Sequence, residues 1–377
     1  MKRVEGHRTI AGGSCFDAEA SQRGPAIKET TMVLVTRLAA AFALAVPILL
    51  LSPGTARSAN TTDVSTLLTG PLTPLGVPNT TLGNQYDNLQ LTQGAIYAAN
   101  FPSSPTCISC SNYYDFALSL YLIYYRTGDS FWLNAARTVA VAWRDSDNNA
   151  AIAQVLGGDW SAGSLVPPPR SMSTLGLALL AVEANDATAR QMVLNQAALV
   201  QMDLGNFVTN GPWGDQLERG YGLMALVAAT LLDGDFGGTA RTLLDVILAD
   251  QQPDGHWEST YGCNVPYSLN FMTGILMEGL TFYDRAIGDP RILPAIQQSV
   301  NFLWTTQWVP TALAFQYATA LDSCGENTNP YANLSGLLLP AWGYAYAKTG
   351  NTTYLDQGTQ ILTGLVQIGR ASCRERV

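Results

Sequence analysis

Five short turns recur along the chain, each joining an apolar segment to a following amphipathic one: "TGD" at 127–129, "AND" at 184–186, "DGD" at 233–235, "IGD" at 287–289 and "TGN" at 349–351. Measured between Gly128, Asn185, Gly234, Gly288 and Gly350, the spacings are 57, 49, 54 and 62 residues. Gly or Asn supplies the left-handed residue that closes one helix, and Asp or Asn caps the next. A period of this size, filled by paired helices, is the signature of stacked helical hairpins.

The two helices of each pair differ. The first is apolar nearly all round, as in "GYGLMALVAATLL" (220–232), "STLGLALLAV" (173–182) and "FMTGILMEGL" (271–280), and must be buried on most sides. The second is amphipathic. In "ARTLLDVILAD" (240–250), Leu243, Leu244, Ile247 and Leu248 share a face opposite Arg241 and Asp245. Strand-like alternation and βαβ signals are scarce. The expected fold class is all-α, with buried helices inside and amphipathic helices outside.

The two ends of the chain stand apart. Residues 32–59, "MVLVTRLAAAFALAVPILLLSPGTARSA", carry one positive charge (Arg37), an apolar run from Leu38 to Leu51 and then small residues. This is the pattern of a secretory signal peptide cleaved near Ala56 to Ala59, which makes residues 1–31 an upstream extension. The run is short for a bilayer span, and nothing later reaches that length. At the other end, "IGRASCRERV" (368–377) brings three arginines into a chain otherwise poor in positive charge. It reads as foreign sequence appended to the frame, so the natural chain is expected to continue past Gln367. Residues 60–84 read as an N-terminal linker and 85–367 as the folded domain.

Between residues 60 and 367, ten Lys+Arg stand against 24 Asp+Glu, a net charge of −14. So acidic a surface, with no basic patch, excludes nucleic acid as a partner. Of six cysteines, Cys15 lies upstream of the signal and Cys373 in the foreign tail. The even remainder, Cys107, Cys110, Cys263 and Cys324, suits disulfides in an exported chain. A zinc site is the competing use, but "CISC" at 107–110 has no second C-x-x-C to match it. No HExxH, P-loop, GxSxG or GxGxxG pattern appears, so no metal or other cofactor is expected.

The paired helices resemble the six-hairpin glycosidase-like (α/α)6 toroid over about residues 85–367, in hairpin number and turn style. The resemblance implies a ring of hairpins, five of them visible. The sixth is either lost at a C-terminal truncation or contributed partly by residues 85–100. It also implies action on a poly- or oligosaccharide. In such a ring all short turns fall on one face and all long connections on the other. The long connections here are about 146–170, 204–215, 252–266 and 307–331, and they carry Trp160, Trp213, Trp257 and Trp308, one each. Indole faces stack on sugar rings, so these four are candidate subsites. Cys263 and Cys324, which precede buried helices of neighbouring hairpins on that face, are expected to pair; Cys107 and Cys110 would close a local loop.

Polar residues accompany the tryptophans. "GGDWSAG" supplies Asp159, "GPWGDQLERGYG" supplies Asp215, Glu218 and Arg219, and "PDGHWESTYG" supplies Asp254, His256, Glu258 and Tyr261. Glycoside hydrolysis needs two carboxyl groups, one to protonate the leaving oxygen and one to activate water or attack. The expected pair is Asp215 or Glu218 with Asp159, assisted by His256 and Tyr261. Each has a plainer reading. Asp215 and Glu218 also fit a helix capping box, and Pro253-Asp254-Gly255 is an ordinary turn. Two alternatives remain. One is a polysaccharide lyase using His256 and Tyr261, with Arg219 neutralising a uronate carboxylate. The other is a non-catalytic glycan-binding or cell-surface module. More remotely, "QQPDGHW" (251–257) resembles the QxxDGxW repeat of terpene cyclases, but it occurs once and without a DxDD motif. "CGEN" (324–327) is similar to the CGEQ thioester of complement-like proteins, with Asn327 where glutamine is needed. Oligomeric state is left open by the sequence.

Overall fold

The computed structural model describes residues 64–72, 74–75, 80–101, 114–156, 172–209, 214–258, 268–319 and 328–374. The described chain is built mainly of helices. The N-terminal part holds α1 (Val64–Thr69) and α2 (Thr81–Asn100). The hairpins follow as α3 (Phe116–Thr127) with α4 (Ser130–Arg144), α6 (Leu175–Glu183) with α7 (Ala187–Met202), α9 (Gln216–Leu231) with α10 (Gly237–Ala249), α11 (Asn270–Ala286) with α12 (Ile292–Phe302), and α14 (Leu339–Thr349) with α15 (Thr352–Arg374). Between hairpins lie the shorter α5 (Asp147–Leu156), α8 (Leu204–Val208) and α13 (Ala332–Ser335). A π turn (Leu303–Gln307) leads into antiparallel strands β1 (Trp308–Val309) and β2 (Ala314–Phe315).

The turns behave largely as their residues dictate. Gly128 and Gly350 sit at φ of 70° and 68° and close α3 and α14, their N–H groups donating to Tyr124 O and Tyr346 O. Asp129 and Asp186 then cap α4 and α7 through the backbone N–H groups of Phe131 and Ala189. The third turn differs from expectation. Its left-handed residue is Asp233, not Gly234, and α10 starts at Phe236 without a side-chain cap. Gly234 is needed for space instead, since a β-carbon there would lie 2.8 Å from Ala229 O.

The apolar first helices form the core. Every residue of α9 from Gln216 to Ala229 is buried, as is Leu175–Ala181 of α6. The second helices bury one face each, such as Leu243, Leu244 and Ile247 of α10, with Leu248 half-buried at its edge. Successive first helices touch: α3 with α6, α6 with α9, α9 with α11, and α11 with α14; α2 contacts both α3 and α15. The seam between α9 and α11 brings two backbones together. A β-carbon on Gly220 would lie 2.8 Å from Ile275 O, and one on Gly279 would lie 2.8 Å from Gly220 O. Only glycine allows such backbone approach.

Contacts at both ends show that α3 runs parallel to α6, and α11 to α14. At their starts, Asp115 before α3 accepts from Gly176 N of α6 at 2.9 Å, and Gly274 of α11 lies against Leu337 O, just before α14. At their finishes, Tyr125 of α3 donates to Glu183 of α6, and Tyr344 of α14 donates to Asp284 of α11 at 2.8 Å. Lys348 adds an ion pair to Asp284 at 2.7 Å.

Residues 64–69, expected as linker, are instead the helix α1, packed against α6 and α11 with Leu68 buried. Ser65 donates to Glu183 at 2.9 Å, and Arg285 Nε donates to Leu67 O at 2.7 Å. Arg285 thus satisfies C-terminal carbonyls of α1, where the helix dipole favours a cation. Burial holds its pKa down to about 10, against the opposing charges of Glu278 and Asp284. No helix among the described residues is long and apolar enough to cross a membrane.

Candidate functional site

The starts of the buried helices gather polar groups that an apolar core does not require. Glu218 lies in the first turn of α9 with no exposed surface, flanked by buried Gln216 and Arg219. Asp215 is the N-cap of this helix, its Oδ1 accepting from Glu218 N at 3.0 Å. The capping reading of Asp215 is therefore the one its geometry supports. Arg219 is occupied as well: Nε donates to Phe207 O and Nη1 pairs with Asp250 Oδ2, both at 2.8 Å. It ties α9 to α8 and to the end of α10, while its Nη2 is buried without a hydrogen-bond partner among the described residues.

Asp115 was not singled out by sequence reasoning. Its carboxylate caps α3 through Leu118 N at 3.2 Å and bridges to α6 through Gly176 N. It sits at φ 59°, directly after Tyr114 at φ 63°. Two consecutive left-handed residues that are not glycine cost on the order of 1–3 kcal/mol each and are held only by their surroundings. Gly176 is part of that restraint, since a β-carbon there would lie 2.5 Å from Asp115 Oδ1. The sequence signal, an Asp immediately before an apolar helix, was visible at Asp115. Its partner 61 residues away was not.

Next to these, the chain after α12 folds over the start of α11. Asn270 N donates to Tyr317 O at 3.0 Å, and its Nδ2 donates to Gln316 O at 2.8 Å and to Gln307 at 3.3 Å. Asn270 Oδ1 is buried and has no hydrogen-bond partner among the described residues. It borders a small pocket walled by Phe271, Phe315, Tyr317 and Tyr331. A buried amide oxygen without a donor costs free energy and is a natural acceptor for a water or ligand hydroxyl.

The tryptophans divide. Trp257 is not a surface platform: it is buried, and its indole N–H donates to Ile247 O at 2.7 Å. Its own carbonyl accepts from Gln216 Nε2 at 2.8 Å, so it pins a strap between α9 and α10. Trp308 is half-buried in β1, stacked on Trp304 at 4.6 Å and 17°, and edge-on to Phe315. Asp159, Trp160, Trp213 and Tyr261, and the cysteines 107, 110, 263 and 324, lie outside the described residues.

His256 lies away from the buried helices. Its ring stacks on Phe302 of the amphipathic α12 at 4.9 Å and 24°. Nδ1 is 2.5 Å from Asp254 Oδ1 and Nε2 is 3.0 Å from Glu258 Oε1. Burial pushes the Asp254 carboxyl up, but hydrogen bonds from the His256 ring and backbone outweigh it and hold the group below its ordinary value. Among the described residues, no cluster of His, Cys, Asp and Glu is arranged to hold a metal ion.

Comparison with known proteins adds no relative: no family model, curated protein or solved structure matches this chain.

Proposed function

We propose that this chain is an exported carbohydrate-active enzyme, built as a closed ring of helical hairpins, that hydrolyses glycosidic bonds at the end where its buried helices begin. Support for the ring comes from the contacts: the five first helices touch in sequence order, and α2 joins the first hairpin to the last. The helix α1 touches α6 and α11, which are separated by α9 in that order. A segment laid across the finishing ends of helices that curve around it makes such contacts.

The observation that carries the chemistry is Glu218, a carboxyl group wholly withdrawn from water in the first turn of the most buried helix. A carboxyl group in that place is suited to protonate a leaving oxygen. Glu218 is the general acid in this reading. Asp159 is the carboxylate that activates water or attacks, and Asp215 holds the first turn of α9. Asn270 and its aromatic neighbours offer a position for a sugar hydroxyl and ring face.

The experiment is a panel of neutral and uronate polysaccharides incubated with the full chain, read for new reducing ends and for unsaturated products. New reducing ends without unsaturation, lost on Glu218→Gln, support the reading. Unsaturated products would assign a lyase instead. A binding module is the second reading, favoured by Asp215, Arg219 and Trp257 all being engaged in structural bonds. Retention of a glycan with no product of either kind would decide for it.

A further inference from the structure

The pocket beside Asn270 is lined by uncharged residues alone, drawn from the start of α11, the chain at 315–317 and the segment around α13. Its walls are fixed by bonds within the protein. Phe315 N donates to Ser335 Oγ, Ser335 Oγ donates to Tyr331 O, and Tyr331 N donates back to Phe315 O, each at 3.0 Å. Phe315 also packs on the buried Trp342, with ring centroids 5.3 Å apart. Tyr331 is 37% exposed and stands edge-on to Tyr317, whose ring lies tilted against Phe271 at 5.4 Å. An ordered aromatic wall with one exposed ring is a place where a flat apolar face stacks.

The polar chemistry of the pocket is one-sided. Asn270 Nδ2 donates to Gln316 O and Gln307, so turning the amide round would set oxygen against oxygen. That leaves Oδ1 as the buried acceptor. The main-chain donors around it are spent: Asn270 N on Tyr317 O, Gln316 N on Gln307 O, and Tyr317 N on Asn329 O. The Ser335 proton is spent on Tyr331 O. A lone buried water needs roughly two to four polar partners, whereas Phe271, Phe315, Leu334 and Leu338 offer carbon. A hydroxyl carried on a carbon skeleton fits better. It gives its proton to Oδ1 and lays C–H surface against the same walls.

Positive charge is missing from the chain that builds this pocket. Residues 242–284 and 292–347, which supply every wall, contain no lysine or arginine. The cations bordering these stretches are engaged elsewhere: Arg285 on α1, Lys348 on Asp284, and Arg241 and Arg291 on Asp245 and Asp289. A carboxylate seated against Asn270 Oδ1 would meet a second acceptor, with no cation to offset its lost hydration. We infer that this pocket is a subsite for a neutral sugar, recognised through one donated hydroxyl and a C–H face laid on Tyr331, and that it rejects uronates. The subsite rests on the carbohydrate reading above, but not on which group is the catalytic acid.

Binding to the full chain is measured by calorimetry with neutral gluco- and galacto-oligosaccharides and with the matching glucuronate and galacturonate oligomers. The neutral member of each bound pair should bind at least about ten-fold more tightly. Tyr331→Ala should weaken it about three- to ten-fold. Among monodeoxy analogues of the best neutral ligand, one should bind about three- to ten-fold more weakly than its parent, and that difference should vanish in Asn270→Ala. Tyr331 is exposed, so its variant decides the matter if Asn270→Ala does not fold. Uronates binding as tightly as neutral sugars, neutral binding indifferent to Tyr331→Ala, or no saturable binding of any oligomer overturns the subsite. The expected binding pattern with no product from any polysaccharide removes only the hydrolase reading. Hydrolysis abolished by Glu218→Gln, with binding indifferent to Tyr331→Ala, removes only the subsite.

Discussion

Arg285 and Glu218 both lie on buried helices, one in the last turn of α11 and the other in the first turn of α9. Around Arg285 the polar groups are spent on each other. Its guanidinium closes α1, Ser65 and Tyr125 meet at Glu183, and Tyr344 and Lys348 meet at Asp284. Around Glu218 the framework is tied through the caps at Asp215 and Asp115 and through Arg219. The finishing end is a seal built from ion pairs. The starting end is a scaffold that holds a buried acid and an unpartnered amide oxygen. Similar residues thus tie the finishing end together and frame the starting end, where the proposed function puts its chemistry.

The largest test of this contrast is Glu218→Gln. The change keeps shape and removes the proton, so hydrolysis should fall about 10²–10⁴-fold, the usual worth of one general acid, while thermal unfolding moves little. A variant that unfolds but loses no activity per folded molecule would reverse the assignment of the two ends. The complementary change, Arg285→Ala, should do the opposite. It strips hydrogen bonds from the carbonyls of Leu67 and Leu68 and should cost about 2–3 kcal/mol, read by urea unfolding, with activity kept once folding is restored by lower temperature. Equal loss of activity would place Arg285 in the chemistry rather than in the seal.

The seal also has an acid limit. Hydrogen bonds from Arg291 hold Asp289 down to about 2 against the effect of burial, with Arg241 adding its charge. The folded carboxyl is thus more acidic than the unfolded one, at about 3.9. The stability it contributes is present above pH 4 and is lost as pH falls from there toward 2. Asp289→Asn should therefore lower stability by about 1 kcal/mol at pH 7, and the difference from the parent should shrink below about pH 4 and close only below about pH 2. A constant difference at every pH would mean that the amide disturbs packing rather than charge.

What could be read ahead of the structure follows from how local each signal is. Helix pairs, their turns and the buried-versus-amphipathic division depend on residues within one turn of each other, and these stand nearly as expected. Gly128, Gly350 and the alternate faces of α10 are examples. The left-handed residue falls at Asp233 rather than Gly234, and Gly234 is confined by Ala229 O and Phe236, both within five residues of it. The site was less readable because its geometry is made at long range. Asp115 meets Gly176, Asn270 meets Tyr317, and Trp257 turns inward because Ile247 offers a carbonyl. The helix α1 was hidden because six residues carry too short a period to declare themselves; its burial depends on Arg285, more than 200 positions away.

The smallest expected effect separates framework from chemistry most sharply. Asp215 caps α9 and stands three residues before Glu218, so it is the natural rival for a catalytic role. Asparagine caps a helix about as well as aspartate does. Asp215→Asn should then shift stability by only a few tenths of a kcal/mol, whereas Asp215→Ala should cost about 1 kcal/mol. If Asp215 only holds the first turn, hydrolysis in the asparagine variant stays within about two-fold of the parent, since that corresponds to roughly 0.4 kcal/mol in a barrier. If it supplies the second carboxylate, activity collapses with the cap intact, and the catalytic pair lies within one helical turn rather than across the ring.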